Sequence, residues 1–247
     1  LLVNEAARAL TAFHDDPAGL VAACRRIIDR QLTCGPLWWL CARMLCAHDP
    51  FIEARAALAE VEADPTRKEL VRHLPDDGHV TVMGSPAQSL APLRRRGDLS
   101  VVIVDLDGEG YSAVRELTDA GVDADLVDPQ ATGPAVMTSD VLLLEAFAVG
   151  PTHALVAAGS APAAAMAARS GVPVWLIAGA GRLLPGRMFD ALEDRWSTSV
   201  DPLAAAEELL PLEWCDRIAG IRGVVEVAEA LGATDCPIAP ELFRLAG

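Results

Sequence analysis

The spacing of apolar positions divides the chain in two. Up to about residue 75 it is helical. Leu20, Ala23, Ile27 and Ile28 recur at helical intervals behind Pro17, with Asp16 placed to cap them. Thr33 to Pro36 breaks the pattern, and Leu37 to Ala47 is apolar nearly all round, which predicts a buried helix. From Pro50 to Leu74 one or two amphipathic helices follow, punctuated by Pro65. Residues 1–75 therefore read as a small helical domain.

Past Pro75-Asp76-Asp77-Gly78 the period changes. "HVTVMG" (79–84), "SVVIVD" (100–105), "VDADLVD" (122–128), "DVLLLEA" (140–146) and "VPVWLIAG" (172–179) are short β-rich runs, with helical stretches at 86–96, 110–121 and 161–170. Alternation of this kind predicts an α/β fold: a Rossmann-like parallel sheet domain over residues 76–247, preceded by the helical domain. Ligands of such sheets sit beyond the carboxyl ends of the strands. Attention falls on Gly84-Ser85-Pro86, Asp105-Leu106-Asp107-Gly108, Asp128-Pro129-Gln130, Glu145-Ala146-Phe147 and Gly179-Ala180-Gly181-Arg182. The segment from Asp140 to Ser160 reads as a strand ending at the Glu145 carboxylate, a loop holding His153, and a Gly159-Ser160 step into an Ala-rich helix. Glycines and carboxylates in these places suit a pocket and suit ordinary βα turns equally.

Composition narrows the function classes. With 247 residues, 52% of them hydrophobic, the chain can bury a full core, and the shortage of aromatics makes that core aliphatic. Trp38 and Trp39 are expected in the helical core; for Trp196 and Trp214 core packing and a subunit interface are both open. Twenty Lys and Arg against 35 Asp and Glu give a formal charge of -15, which repels nucleic acid and anionic membrane surfaces as direct partners. The basic clusters Arg25-Arg26, Arg67-Lys68 and Arg94-Arg95-Arg96 read as solvated helix faces. No apolar run reaches the length of a membrane span, and the first residues carry no basic segment with a cleavage site, so a soluble, cytoplasmic protein is expected. The six cysteines have no C-x-x-C spacing and no paired histidines, which predicts buried reduced thiols and no zinc site.

The chemistry on offer is thin. Asp105, Asp107 and Glu109 alternate as metal ligands can, but no further oxygen donors and no closing Glu follow, so they read as a capping turn and no metal is expected. His153 has no nucleophile or orienting acid fixed beside it by sequence. "GAGRLLPGR" (179–187) carries Arg182 and Arg187, the best anion-binding candidates, yet has neither the lysine nor the Ser/Thr of a P-loop, and no cofactor is expected.

"DVLLLEAFAVGPTHALVAAGSAPAAAMAARSGVPVWLIAGAGRLL" resembles the central region of the translation initiation factor 2B alpha, beta and delta subunits and of their relatives, methylthioribose-1-phosphate and ribose-1,5-bisphosphate isomerases. "HVTVMGSPAQSLAPLRRRGDLSVVIVDLDGEG" is similar to the family's first strand, helix and second strand, and "DCPIAPELFRLAG" to its closing segment. The resemblance implies a Rossmann-like domain that pairs into homodimers, with a protein as a further candidate partner. The isomerases use a Cys after the first strand and an Asp at a Gly-Ala-Asp turn to move a proton between sugar C1 and C2. Here those positions fall on Gly84, or Ser85 with a slip, and on Ala146, while Glu145 faces the other side of the sheet. The phosphate-binding Asn-Lys pair falls on Val156-Ala157, and a conserved-motif arginine on Asp107, so an anionic sugar phosphate would meet Asp105, Asp107 and Glu109. Gly159-Ser160 is retained, with Ser160 expected to cap the following helix.

The reading is thus a non-catalytic, initiation factor 2B-like protein that works by binding a protein or a small ligand, from a genome whose Ala- and Arg-rich composition resembles a GC-rich bacterium. The alternatives are a sugar-phosphate isomerase in which Glu145, Ser85 or His153 substitutes for the lost groups, and a structural subunit of a larger assembly. The candidate ligand-binding residues are Gly84, Ser85, Gly159, Ser160 and Arg182.

Overall fold

Prolines and carboxylates set the starts of the N-terminal helices in the computed structural model, which describes residues 2–106, 108–201 and 203–243. The helices are α1 (Leu2–Leu10), α2 (Pro17–Arg30), α3 (Gly35–Cys46), α4 (Pro50–Glu62) and α5 (Thr66–His73). Asp16 accepts a hydrogen bond from Gly19 N at 2.8 Å, as its position predicts, and Asp49 accepts from Phe51 N and Ile52 N at 2.9 and 3.0 Å. Pro17, Pro36 and Pro50 lie in the first turns, where no N–H is needed. The buried helix read from Leu37 onward is α3, whose Leu37, Trp38, Trp39, Leu40 and Cys41 are all sealed from solvent. Helix α1 was not read from the sequence, although Val3, Ala6, Ala7 and Leu10 follow a helical face.

Among the described residues nine strands follow: β1 (His79–Met83), β2 (Ser100–Val104), β3 (Asp123–Val127), β4 (Val141–Val149), β5 (His153–Ala157), β6 (Val174–Ala178), β7 (Glu207–Pro211), β8 (Arg217–Gly220) and β9 (Gly223–Glu226). The main path runs β3-β2-β1-β4-β6-β8-β9, parallel except for β9, which is antiparallel to β8. The expected parallel sheet is therefore present with an antiparallel annex, because β5 pairs antiparallel with the far half of β4 and with β7.

This annex corrects the reading of 140–160. The strand does not end at Glu145 but continues to Val149, and His153 opens β5 instead of lying in a loop. The register slips by one residue between Ala146 and Ala148, a bulge at Phe147 that bends β4 toward its new partner. Gly35 of α3 packs against that bulge, where an added Cβ would lie 2.7 Å from the Phe147 carbonyl oxygen.

The remaining helices are α6 (Ala87–Leu93), α7 (Gly110–Asp119), α8 (Thr132–Met137), α9 (Ser160–Ser170), α10 (Gly186–Ser199) and α11 (Val227–Leu231). One face of the sheet, with Val82, Ile103, Leu143 and Ile177, is covered by α5, α6 and α7. The other, with Val104, Leu142, Leu144 and Leu176, is covered by α8, α9 and α11. A further core joins α1 to α4 with α10 and Cys236 to Leu242. Trp196 belongs to this core, which resolves its placement, and its indole N–H has no partner among the described residues. Cys24, Cys41, Cys215 and Cys236 are buried as expected, whereas Cys34 is half-buried and Cys46 exposed; all six are free. Burial pushes the thiols of Cys215 and Cys236 up to about 12, so they pack as neutral groups. No helix among the described residues is long and apolar enough to cross a membrane.

Candidate functional site: the carboxyl edge of the sheet

Strands that end at this edge lead into turns, and backbone N–H groups in such turns are where an anion would be held. After β1, Gly84 adopts φ 70° and its N–H bonds Val104 O at 2.9 Å, after which Ser85 and Pro86 lead into α6. Ser85 lines a cleft of about 360 Å³ between α6 and α7. After β2, Asp105 Oδ1 accepts from Gly108 N at 2.9 Å and Gly110 N at 3.2 Å, closing the turn into α7. This is the capping role expected for that acidic turn; Asp107 lies outside the described residues.

Glu145 sits inside β4, on the face of the sheet that α6 covers. Its Oε2 accepts from Gln88 N at 3.0 Å, and its Oε1 meets Arg182 Nη2 at 2.8 Å. Arg182, which follows β6, also donates Nη1 to the Ala146 carbonyl oxygen. With its amide oxygen toward the guanidinium, Gln88 accepts from Nη2 at 2.7 Å and Nε at 2.9 Å. The Glu145 and Arg182 side chains are only 13% and 14% exposed. Two groups predicted from sequence as separate candidates are thus one partly buried pair. The neighbouring Ala180 N donates to Asp64 Oδ2 at 2.9 Å, while Asp64 Oδ1 accepts from Thr66 N at 2.9 Å and from its hydroxyl at 2.5 Å. Gly179 leaves the room for this: a Cβ there would lie 2.3 Å from Asp64 Oδ2 and 2.7 Å from the nearer atom of the Gln88 side-chain amide.

On the opposite face, Gly159 has φ 98° and stands at the N-cap of α9. A Cβ on it would approach Leu106 Cδ2 to 3.2 Å, so the turns after β2 and β5 nearly touch. The expectation that Ser160 caps α9 is corrected. Ser160 is the buried first residue of the helix, no side chain of the cap residue bonds the helix, and Ala161 N donates to Glu208 Oε1 of β7 at 2.7 Å. A carboxylate from the chain itself sits where an anion would dock. Replacing Glu208 by Ala is expected to lower stability by about 1–2 kcal/mol, and by Gln by about half as much, because the amide keeps an acceptor but loses the charge. Urea unfolding midpoints measure both, and equal, negligible shifts would remove Glu208 from this role.

His153 stands apart. Its Nδ1 lies 3.0 Å from Thr152 Oγ1, and it is three residues along β5 from Val156, which pairs with Ala146, so roughly 10 Å of strand separates it from the Glu145 level. Arg187 is also elsewhere, over the Phe243 ring at 5.5 Å, in a cleft of about 710 Å³ between α2 and α10.

Sequence reasoning missed Glu208, Asp64 and Gln88. Glu208 is remote in sequence from the helix it caps, and β7 has a weak strand pattern. Asp64 precedes the Pro65 that punctuates the helices and was not singled out. Among the described residues no cluster of His, Cys, Asp or Glu is arranged to hold a metal ion.

No protein-family model matches the sequence, and no curated relative does. Solved structures do share the fold. The chain is similar to the translation initiation factor eIF-2B of Pyrococcus horikoshii OT3, at TM-score 0.76 and 11% identity over 93% of this chain and 92% of that one. It is similar to eIF2B beta of Chaetomium thermophilum, at TM-score 0.73 and 14% identity over 97% and 85%. The tetrameric eIF2B-beta2-delta2 complex from C. thermophilum aligns at TM-score 0.76 and 14% identity over 93% and 86%. The α/β, Rossmann-like architecture expected from the sequence is the architecture of these proteins.

Proposed function

We propose that this chain is an initiation factor 2B-like protein that works by association, not turnover, pairing with a second copy of itself or with a related subunit through residues 76–247. One observation carries the reading: the backbone N–H groups at the sheet's carboxyl edge are engaged by the chain's own acids. Glu208 holds the start of α9, Glu145 that of α6, Asp105 that of α7 and Asp64 the turn after β6. The cation beside them, Arg182, is bonded to Glu145, Ala146 O and Gln88. An incoming phosphate would have to displace a carboxylate and then sit among the others, which is repulsive in a partly dehydrated cleft. The tetrameric state of the C. thermophilum complex supports association as the mode of action.

A ligand at 100 times its dissociation constant stabilises a protein by about 2.7 kcal/mol, several degrees of melting temperature for a domain of this size. Ribose 5-phosphate, ribose 1,5-bisphosphate and ATP at millimolar concentration are expected to shift the melting temperature by less than about 1 °C. Light scattering on a sizing column is expected to give twice the mass of the chain. A clear shift with a ribose phosphate, joined to aldose–ketose turnover that disappears in Glu145→Gln, would replace this reading with the isomerase. A monomer that binds no related chain would remove association as the function.

A further inference from the structure

The edge strand β3 is open. It pairs only with β2 among the described residues, and Asp123, Asp125 and Leu126 are exposed. Val127 O accepts from Asp105 N at 3.0 Å, so the polar groups of Val127 and, two and four residues back, Asp125 and Asp123 point into the sheet. The N–H and C=O groups of Ala124 and Leu126 therefore point outward. The side chains alternate too. Leu126 lies on the α7 side, where a Cβ on Gly110 would meet its Cδ1 at 2.4 Å, and Tyr111 of α7 is 74% exposed. Asp123 and Asp125 lie on the other side. From residue 105 to 128 the chain carries eight carboxylates and one basic residue, Arg115.

We infer that β3 is a docking edge for an extended, basic segment of a partner protein, which adds to the sheet as a further strand. The geometry fixes the pattern of that segment: apolar residues on one face, against Leu126 and Tyr111, alternate with Lys or Arg on the other, against Asp123 and Asp125. Outward N–H and C=O groups supply the backbone pairing, and the excess of carboxylates supplies attraction and selection against acidic segments. The outward backbone groups of Ala124 and Leu126 are not among those the functional proposal rests on, although Leu126 borders the Asp105 turn, and either proposal can fail alone.

The test uses the full chain and two fluorescein-labelled ten-residue peptides, one alternating Arg and Val, the other with five Arg followed by five Val. At 150 mM salt the alternating peptide is expected to bind at least tenfold more tightly by anisotropy. The double substitution Asp123→Lys with Asp125→Lys should abolish that preference, while Glu213→Lys with Glu229→Lys, which changes the net charge equally, should leave it. Hydrogen exchange should slow at the Ala124 and Leu126 amides on addition of the peptide, a readout that a merely electrostatic encounter would not move. Equal binding of the two peptides, an equal response to both double substitutions, or no binding at all would overturn the proposal and leave the acidic edge as a guard against self-pairing.

Discussion

Replacing Arg182 by Met is expected to destabilise the protein by about 3–5 kcal/mol, because it strands the Glu145 carboxylate inside the sheet with only the Gln88 N–H for company. The loss comes from an unpaired buried charge and not from the ion pair's own strength, so the double replacement Glu145→Met with Arg182→Met should recover most of it. Glu145→Gln should cost less, about 1.5–3 kcal/mol, since the amide can still accept from Arg182 or Gln88. Urea unfolding of the wild type, Arg182→Met, Glu145→Met and the double replacement gives the coupling directly. A cost below about 1 kcal/mol for Arg182→Met would show that the guanidinium is not held by Glu145, and would return it to service as an anion-binding group.

Trp38→Ala should be comparably damaging, at about 3–5 kcal/mol. The indole is fully buried where α1 to α4 meet α10, its Nε1 donates to Leu32 O at 2.9 Å, and the Arg195 guanidinium lies 5.3 Å from the ring centre. Truncation opens a cavity, orphans a carbonyl oxygen and removes the surface against which a nearly buried arginine is packed. Trp38→Phe keeps most of the apolar area and loses the hydrogen bond, so about 1–2 kcal/mol is expected. Tyr111→Ala, at an exposed position, should fall within about 0.5 kcal/mol. Chemical denaturation ranks the three, and a Trp38→Ala protein as stable as Tyr111→Ala would mean that the helical core is not built around this ring.

The strands found from sequence are those whose apolar runs stand between turn formers. "SVVIVD" and "VPVWLIAG" became β2 and β6 within a residue or two at each end, because continuous apolar runs are what a strand covered on both faces requires. Strand β5, "HALVA", failed that test: it is short, three of its five residues are Ala or His, and it lies between Gly150-Pro151 and Gly159, which reads as a loop. Helix α10 was legible in principle, since Met188, Phe189, Leu192 and Trp196 follow a helical face. Its start, Gly186-Arg187, was absorbed into a glycine-rich stretch considered for anion binding. The wiring of the candidate edge was not legible. Ser160 was given the cap that Glu208 supplies from β7, 47 residues later.

What the sequence determined by itself is what depends on neighbours along the chain. Helical and extended periods, Asp and Pro at helix starts and the charge of -15 all belong to it. What tertiary structure alone decided is which carboxylate meets which N–H. Asp64 reaches Ala180, Glu145 reaches Gln88 and Arg182, and Glu208 reaches Ala161 across sequence gaps of 37 to 116 residues. A polar group can be buried only with a partner, and the identity of a distant partner is set by how strands are ordered and sheets are layered, which local spacing does not encode.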